Sequence, residues 1–259
     1  MDLGIAGRKA IVCASSRGLG KACARALAEA GCEVVINGRD AKNLEATAAE
    51  IAKATGAKIT AIAADVGTPD GQKALLAACS SPDILVNNNS GPPMRDFREL
   101  TRAQMIDGVI ANMIVAVELI QEVIDPMSQH KFGRIVNITS GSVKMPLAGL
   151  DLSSGARAGL TAFLAGVART VAGNNVTINN VLPGAFDTDR LRGVLGKTAE
   201  QKGVSVEEAA KARVATIPAR RFGDPAEFGA AAAFLCSAQA GYITGQNLLI
   251  DGGTFSGAF

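Results

Sequence analysis

The chain has 259 residues, of which 48% are hydrophobic and 19% charged, so it can bury a large core, and we expect one domain over residues 1–259. A formal net charge of +2 without a basic tract gives no reason to expect a nucleic acid or a membrane as a partner. No apolar run approaches the roughly 18 residues of a membrane span, and the chain starts too close to its first strand for a signal peptide. Five cysteines without a CxxC pair are typical of reduced core residues, so we expect a cytoplasmic protein without a metal site.

The first predicted elements are a strand, a glycine-bearing turn and a helix. Lys9 to Ala14 is an apolar run of strand length, and Lys21 to Ala30 is rich in helix-favouring alanine. Glycines in such a turn let the backbone approach a pyrophosphate, whose charge the free N–H groups of the helix stabilise. An ordinary strand-to-helix loop has the same pattern, so the motif needs support. The candidate cofactor-binding residues of the turn are Ser15, Ser16, Arg17, Gly18, Leu19 and Gly20.

The second predicted strand, Glu33 to Gly38, is followed directly by Arg39. In a doubly wound fold an acidic residue here bonds the ribose 2′-hydroxyl of NAD, whereas an arginine accommodates the 2′-phosphate of NADP. Arg17 adds a second positive charge near the same place. Either arginine alone is as often a solvated surface charge as a phosphate ligand. Together the two arginines predict NADP(H) as the cofactor.

Strand and helix patterns alternate along the rest of the chain, which predicts an α/β fold: a Rossmann-type, doubly wound, parallel seven-stranded sheet with helices on both faces. The longest predicted helix runs from about Thr101 to Ile124. Between Asp187 and Pro218 charged helical segments interrupt the alternation, so residues 187–217 are a candidate substrate lid. The remaining predicted strands are Lys58 to Ala63, Asp83 to Asn88, Gly133 to Ser140, Thr177 to Leu182 and Asn247 to Ile250.

Along nearly its whole length the chain resembles the short-chain dehydrogenases/reductases, especially the branch of 3-oxoacyl-carrier-protein reductases. The turn is similar to the TGxxxGxG motif of that family, with Ala14 in place of the first glycine, and we expect this exchange to stiffen the turn slightly. The other matching segments are Asp65-Val66, Asn87 to Gly91, Gly133 to Ser140, Pro183-Gly184 with Thr188, Ile217 to Pro225, Tyr242 to Gln246 and Asp251 to Gly253.

The resemblance implies further cofactor-binding residues. Asp65 and Val66 match the position that contacts the adenine ring, and Asn88 belongs to the stretch that resembles NNAG after the fourth strand. The segment that lies beside the nicotinamide carboxamide in the family is matched by Pro183, Gly184 and Thr188.

The catalytic group of the family is an Asn-Ser-Tyr-Lys set, and this chain matches half of it. Asn112 matches the asparagine that holds a water in the proton relay, and Ser140 matches the serine that hydrogen-bonds the substrate carbonyl. Ser153 stands where the family has its tyrosine, and Arg157 where it has its lysine. We take these four residues as the candidate catalytic residues of an atypical member.

The two exchanges alter the expected chemistry. A tyrosine hydroxyl has an ordinary pKa of about 10, whereas a serine hydroxyl is a far weaker acid, and an arginine does not deprotonate. Asp151 is interpreted as a loop carboxylate paired with Arg157 or water. Tyr242, the only tyrosine, is assigned a structural role near the last strand. The other local groups considered as proton donors are Ser142, Lys144 and Ser154.

Two functions remain open. One is an atypical NADP(H)-dependent oxidoreductase acting on a 3-oxoacyl-type substrate or a small ketone, with the proton coming from water, Ser153 or the substrate. The other is a noncatalytic dinucleotide-binding sensor or partner subunit. A small-molecule substrate is expected, and Arg95 and Arg190 or Arg192 are candidates to attract an anionic group on it. The resemblance also implies a homotetramer built through the long fourth and fifth helices, to which the apolar tail Phe255 to Phe259 contributes.

Overall fold

We describe the protein from a computed structural model, which covers residues 2–258. Seven parallel strands form one sheet in the order β3-β2-β1-β4-β5-β6-β7, so the predicted doubly wound α/β fold is confirmed. The sequence order reverses between β1 and β4, which is where a sheet of this kind opens its ligand crevice at the carboxyl ends of the strands. The strands are β1 Lys9–Val12, β2 Glu33–Gly38, β3 Ile59–Ala63, β4 Ile84–Asn87, β5 Gly133–Ile138, β6 Val176–Pro183 and β7 Asn247–Ile250.

Helices cover both faces of the sheet because successive strand residues point to opposite sides. The helices are α1 Gly18–Glu29, α2 Ala41–Thr55, α3 Pro69–Ala78, α4 Arg102–Val109, α5 Val115–Gln129, α6 Asp151–Val171, α7 Asp189–Lys202, α8 Val206–Ala215 and α9 Pro225–Leu235. Ala10 and Val12 pack with one helix layer, made of α1, α2 and α9, while Ile11 packs with the other, made of α3, α5 and α6.

Helices α4 and α5 are continuous through a π-helical segment, Ile110–Ile114. The predicted end at Ile124 is wrong, because the helix passes Pro126 and ends at Gln129. Met127 is buried there, and the N–H of His130 donates to the carbonyl of Pro126, which holds the last turn in place.

The combined helix Arg102–Gln129 also corrects the expectation that no segment approaches a membrane span. By length and composition it is apolar enough to cross a membrane, a test that core helices of globular proteins pass as well. Its buried side packs on the sheet through residues such as Leu119 and Val123.

Helices α7 and α8 fill most of the predicted lid segment and lie between β6 and α9 in the chain. Their base is fastened by backbone hydrogen bonds, from Asp187 N to Gly223 O and from Gly223 N to Ala185 O. The segment therefore leaves the sheet and returns to it at one point beside the end of β6.

Candidate functional site

The glycine-bearing turn lies at the carboxyl end of β1 and leads into α1. A Cβ on Gly20 would lie 2.5 Å from the carbonyl oxygen of Ala14, so only glycine fits there without a shift. Gly18 has a φ of +59°, in the left-handed region that favours glycine. With no acidic residue in the first turn of α1, the N–H groups of this helix end are free to bind an anion. The geometry of the turn fits a dinucleotide pyrophosphate.

Ala14, where the family has its first glycine, has a φ of +44°. A residue with a Cβ is strained in this region by roughly 1–2 kcal/mol. Ala14 is nevertheless held in place, because its N–H donates to Asn37 Oδ1 and its carbonyl accepts from Asn88 Nδ2. The exchange therefore does more than stiffen the turn, since it stores backbone strain beside the candidate cofactor site.

We expect Ala14→Gly to raise the free energy of unfolding by about 1 kcal/mol, because the strain at positive φ disappears. Urea unfolding measures the change. Ala26→Gly, within α1, is the matched control and should lower the free energy of unfolding by about 1 kcal/mol, since glycine disfavours a helix interior. If Ala14→Gly destabilises the protein as much as the control does, the strain argument is wrong.

The adenosine side of the candidate site brings Arg39 and Asp65 together at the ends of β2 and β3. Their charged groups are 3.9 Å apart, Arg39 Nη1 to Asp65 Oδ2, and both side chains are largely exposed, so the ion pair is weak. Arg17 occupies the N-cap position of α1 without a capping side-chain hydrogen bond, and it is exposed as well. Val66 is buried beneath Asp65 in the core. Two accessible guanidinium groups thus stand where a 2′-phosphate is predicted.

The opposite side of the cleft is formed by Pro183, Gly184 and Thr188. Thr188 caps α7 by accepting a hydrogen bond from Leu191 N, and its Cγ2 lies 3.8 Å from where a Cβ on Gly18 would be. The start of α7 therefore lies close to the glycine-bearing turn, at the edge of the predicted cofactor cleft.

Ser153 and Arg157 lie one turn apart on the buried side of α6 and are hydrogen-bonded to each other. Arg157 Nε donates to Ser153 Oγ at 3.3 Å, and Arg157 Nη1 donates to the carbonyl of Ile138 at 2.7 Å, where β5 ends. Burial, followed by the positive charge of Arg190, lowers the pKa of Arg157 to about 10, so the guanidinium still carries its charge at neutral pH.

Asn112 lies in the π-helical segment, where its Nδ2 donates to the carbonyl of Gly108. Its Oδ1 is buried and has no hydrogen-bond partner among residues 2–258. Asn112 and Arg157 line the same small cavity, which is polar enough to hold a water. The cavity is also lined by Asn87, Asn88, Asn89 and Asn137.

Ser140 follows β5 and caps a short turn, Gly141–Val143. Its Oγ accepts hydrogen bonds from the N–H of Ser142 and from Ser142 Oγ, at 3.1 and 2.9 Å. With Ser142 Oγ assigned as the donor, Ser140 accepts both bonds and its own hydroxyl proton is left to donate. Ser142 is thereby placed as a residue that orients Ser140.

The other groups considered from the sequence lie elsewhere. Asp151 is not paired with Arg157, because its carboxylate accepts from the N–H of Gly149 on the surface. Tyr242, shortly before β7, is fully exposed in the single chain and so adds nothing to the core of its own subunit; its structural role stays a prediction. Lys144 lies over the ring of Phe255, 5.6 Å from its centre. Phe259, the last residue of the predicted tail contact, is outside the described residues.

A row of asparagines beneath the site escaped the sequence analysis. Each Nδ2 donates to the Oδ1 of the next side chain in the order Asn87, Asn137, Asn180 and Asn247, across four neighbouring strands. The strand register puts these residues directly opposite one another. The feature of the sequence that could have revealed the row is an asparagine at the same level of successive strands. Within residues 2–258 the row leaves the Oδ1 of Asn87 without a hydrogen-bond partner beside the cavity.

Comparisons with known proteins identify the family of the chain. Residues 13–254 match the family model described as enoyl-(acyl carrier protein) reductase. The chain is 31% identical to the NADPH-dependent reductase BacG of Bacillus subtilis, over 95% of this chain and 97% of that protein. It is 32% identical to the 3-oxoacyl-(acyl-carrier-protein) reductase FabG of Vibrio cholerae, over 98% of this chain and 99% of that protein.

A solved structure is similar as well. The complex of L-sorbose reductase from Gluconobacter frateurii with NADPH and L-sorbose has a TM-score of 0.93 and 26% identity, covering 99% of this chain and 100% of that one. Because the family model and these relatives span nearly the whole chain, the resemblance expected from the sequence is confirmed. The chain belongs to the short-chain dehydrogenase/reductase family.

Proposed function

We propose that the protein is an atypical NADP(H)-dependent reductase of a small ketone or 3-oxoacyl-type substrate, built as one Rossmann-type domain with a lid at about 187–217. The observation that carries the proposal is the grouping of Ser153, Arg157 and Asn112 around the ends of β4 and β5, next to a turn that fits a dinucleotide. Relatives and structural neighbours named as NADPH-dependent reductases or as NADPH complexes support the same cofactor.

The cofactor would lie across the ends of β1 and β4. Its pyrophosphate would bind the turn from Ser15 to Gly20, and its 2′-phosphate would bind Arg39 and Arg17, both of which are exposed. The nicotinamide end would lie toward Pro183, Gly184 and Thr188. When bound, it supplies the hydride for reduction of a carbonyl carbon.

Ser140 polarises the substrate carbonyl in this proposal. Its hydroxyl is free to donate because both of its observed hydrogen bonds are accepted from Ser142. A donor already aimed at the oxygen stabilises the negative charge that develops there without reorganising during the reaction. Ser142 is therefore a positioning residue for Ser140.

The proton has two routes that the side chains support. Ser153 Oγ accepts from Arg157, so its own proton is free to pass to the alkoxide. A water in the cavity lined by Asn112 and Arg157 would deliver a proton directly, since the Oδ1 of Asn112 has no hydrogen-bond partner among residues 2–258. Arg157 keeps its charge and supplies a positive field rather than a proton.

A noncatalytic dinucleotide-binding protein is the alternative, and the exchange of tyrosine and lysine for Ser153 and Arg157 favours it. Binding of NADPH without turnover of any carbonyl compound would support that alternative.

Homotetramer formation and a cytoplasmic location stay predictions. The exposed apolar side of α4, the π-helical segment and α6 supports assembly, and light scattering tests it: a monomer at micromolar concentration would contradict the tetramer. That side includes Met105, Ile106, Val109, Ile110, Ile114 and Phe163.

The cofactor preference is tested by Arg39→Asp. We expect the wild-type protein to bind NADPH more tightly than NADH, and the variant to reverse the order, since it loses a charge-assisted contact worth about 1.5–3 kcal/mol and gains a repulsion. Fluorescence titration with both cofactors at two salt concentrations measures the change. The wild-type preference should weaken at high salt because the contact is exposed. Equal affinity of the wild-type protein for both cofactors would refute the assignment.

A further inference from the structure

The π-helical segment Ile110–Ile114 is held from outside the helix by asparagine side chains. Asn89, in the loop that follows β4, donates through its Nδ2 to the carbonyl of Ala111 at 3.2 Å. Asn87 makes a longer bond of the same kind, to the carbonyl of Ala116 at 3.5 Å. A π turn bonds a carbonyl to the N–H five residues on instead of four, so the ordinary pattern is interrupted and a carbonyl can take a donor from elsewhere. Asn89 supplies such a donor from the end of the sheet.

The amide group of Asn89 is fixed at both ends. Its Oδ1 accepts from the N–H of Ser90 at 2.7 Å while its Nδ2 is bonded to Ala111, so the two bonds assign the oxygen and the nitrogen of the amide. In the NNAG stretch that this loop resembles, the third residue is alanine, which has no side-chain group to donate. A chain with that alanine cannot make the bond to Ala111.

Asn112 is the buried residue of the segment that Asn89 holds. Its Nδ2 donates to the carbonyl of Gly108 at 3.1 Å, and its Oδ1 has no hydrogen-bond partner among residues 2–258. Helix α6 packs closely against the same stretch. A Cβ on Gly108 would lie 2.5 Å from Leu152, and a Cβ on Gly159 would lie 3.2 Å from the Sδ of Met113. A shift of the segment would therefore move Asn112 relative to α6.

Asn89, Asn112 and Arg157 line one cavity of about 20 Å³, which has room for a water. Asn112 offers an acceptor there. Of the five N–H groups of the Arg157 guanidinium, one donates to Ser153 and one to Ile138, so donors are left over within the described chain. A water both donates and accepts, and it satisfies the two residues together. An anion would not, because the free group of Asn112 is itself an acceptor.

We propose that Asn89 is a positioning residue, whose bond to the carbonyl of Ala111 holds the π turn so that Asn112 keeps one water beside Arg157. The inference rests on the proposed reductase function and takes this water as the source of the proton. The hydride of NADPH goes to the carbonyl carbon and a proton of the water goes to the alkoxide oxygen. The hydroxide that remains regains a proton from solvent. Asn89 acts on this step only through Asn112.

The first test measures hydrogen exchange of the backbone amides in residues 108–116 by mass spectrometry, on the full-length protein saturated with NADP⁺. Asn89→Ala removes the side-chain amide, whereas Asn89→Asp keeps its shape and loses only the N–H donor. We expect exchange in this peptide to become about fivefold faster or more in both variants. Ser90→Ala changes an exposed neighbour that bonds Asn89 only through its backbone, so it is the matched control and should exchange like the wild type. Unchanged exchange in both Asn89 variants would overturn the proposal.

The second test is a double-mutant cycle with Asn112→Ala. Asn89→Ala should lower kcat for a carbonyl compound about tenfold and raise the solvent deuterium isotope effect on kcat, because proton delivery then limits the rate. In the Asn112→Ala background the same change should have no further effect, since Asn89 acts through Asn112. Additive losses would overturn the proposal. So would a loss of NADPH affinity in Asn89→Ala without a change in the isotope effect, which would assign Asn89 to cofactor binding.

The proposed function can fail separately. If the wild-type protein reduces no carbonyl compound, the reductase falls, and the exchange measurement still decides whether Asn89 holds the π turn. If carbonyl compounds are reduced and both Asn89 variants keep the wild-type kcat and isotope effect, the reductase stands and the positioning role falls.

Discussion

Replacing Ser153 by tyrosine together with Arg157 by lysine is expected to raise kcat/KM for reduction of neutral ketones by NADPH roughly 10²–10⁴-fold, the range that a positioned general acid contributes. Ser153 is buried beside a shallow hollow lined by Pro92, Leu100, Leu150 and Leu152 that is too small to hold a water, so the larger ring has to displace these side chains. A lysine at position 157 would restore the partner that lowers the pKa of the tyrosine hydroxyl in the family.

The matched control is Ser153→Phe with Arg157→Lys, which has the same ring and the same cation but no phenolic hydroxyl. It should fold equally well and show no gain in ketone reduction. Stopped-flow and steady-state NADPH oxidation measure both variants. If the tyrosine variant binds NADPH normally yet gains nothing over the phenylalanine variant, the pocket has diverged beyond these two residues, and the noncatalytic alternative becomes the better one.

The second large effect expected is a loss of activity when the hydroxyl of Ser140 is removed. Ser140→Ala should lower kcat/KM about 10²–10³-fold, as expected for loss of one preorganised donor at a developing oxyanion, while NADPH affinity stays nearly unchanged. Ser142→Ala should have a smaller effect, because Ser142 acts only by orienting Ser140. A Ser140→Ala variant that keeps wild-type kcat/KM would remove Ser140 from the mechanism.

The same kinetic comparison assigns the proton route through Ser153→Ala. A loss comparable to that of Ser140→Ala places Ser153 in the relay, since its hydroxyl is the group bonded to Arg157. A loss of only a few-fold assigns the proton to water in the cavity beside Asn112. Both results are compatible with a reductase, and they differ in which atom delivers the proton.

The sheet could be predicted from sequence because its signal is local. Apolar runs of four to eight residues such as Glu33–Gly38 predict buried parallel strands. Glycine-bearing turns such as the one ending at Gly20 predict the edge of the sheet at which a cofactor binds. The end of the long helix could not be predicted, because a proline argues for a stop while burial of Met127 keeps the helix going. Tertiary packing there overrides local propensity.

The candidate site was only partly predictable for a similar reason. The identities of Ser153 and Arg157 are visible in the sequence, but their mutual hydrogen bond and the bond from Arg157 to Ile138 depend on how α6 docks against β5. The absence of a carboxylate partner for Arg157 within residues 2–258 likewise emerges only in three dimensions. Asp151, two residues before Ser153, was a candidate partner in the sequence and instead accepts a hydrogen bond from the N–H of Gly149 at the start of α6.

The most direct test of the account is NADPH oxidation by the wild-type protein across ketones, oxo acids, quinones, imines and 3-oxoacyl thioesters, set beside a titration of NADPH binding. We predict that NADPH binds and that at least one carbonyl class is reduced, with loss of NADPH absorbance matched by formation of the alcohol. NADPH binding without turnover of any of these compounds would contradict the account and favour a protein that binds the dinucleotide without using it.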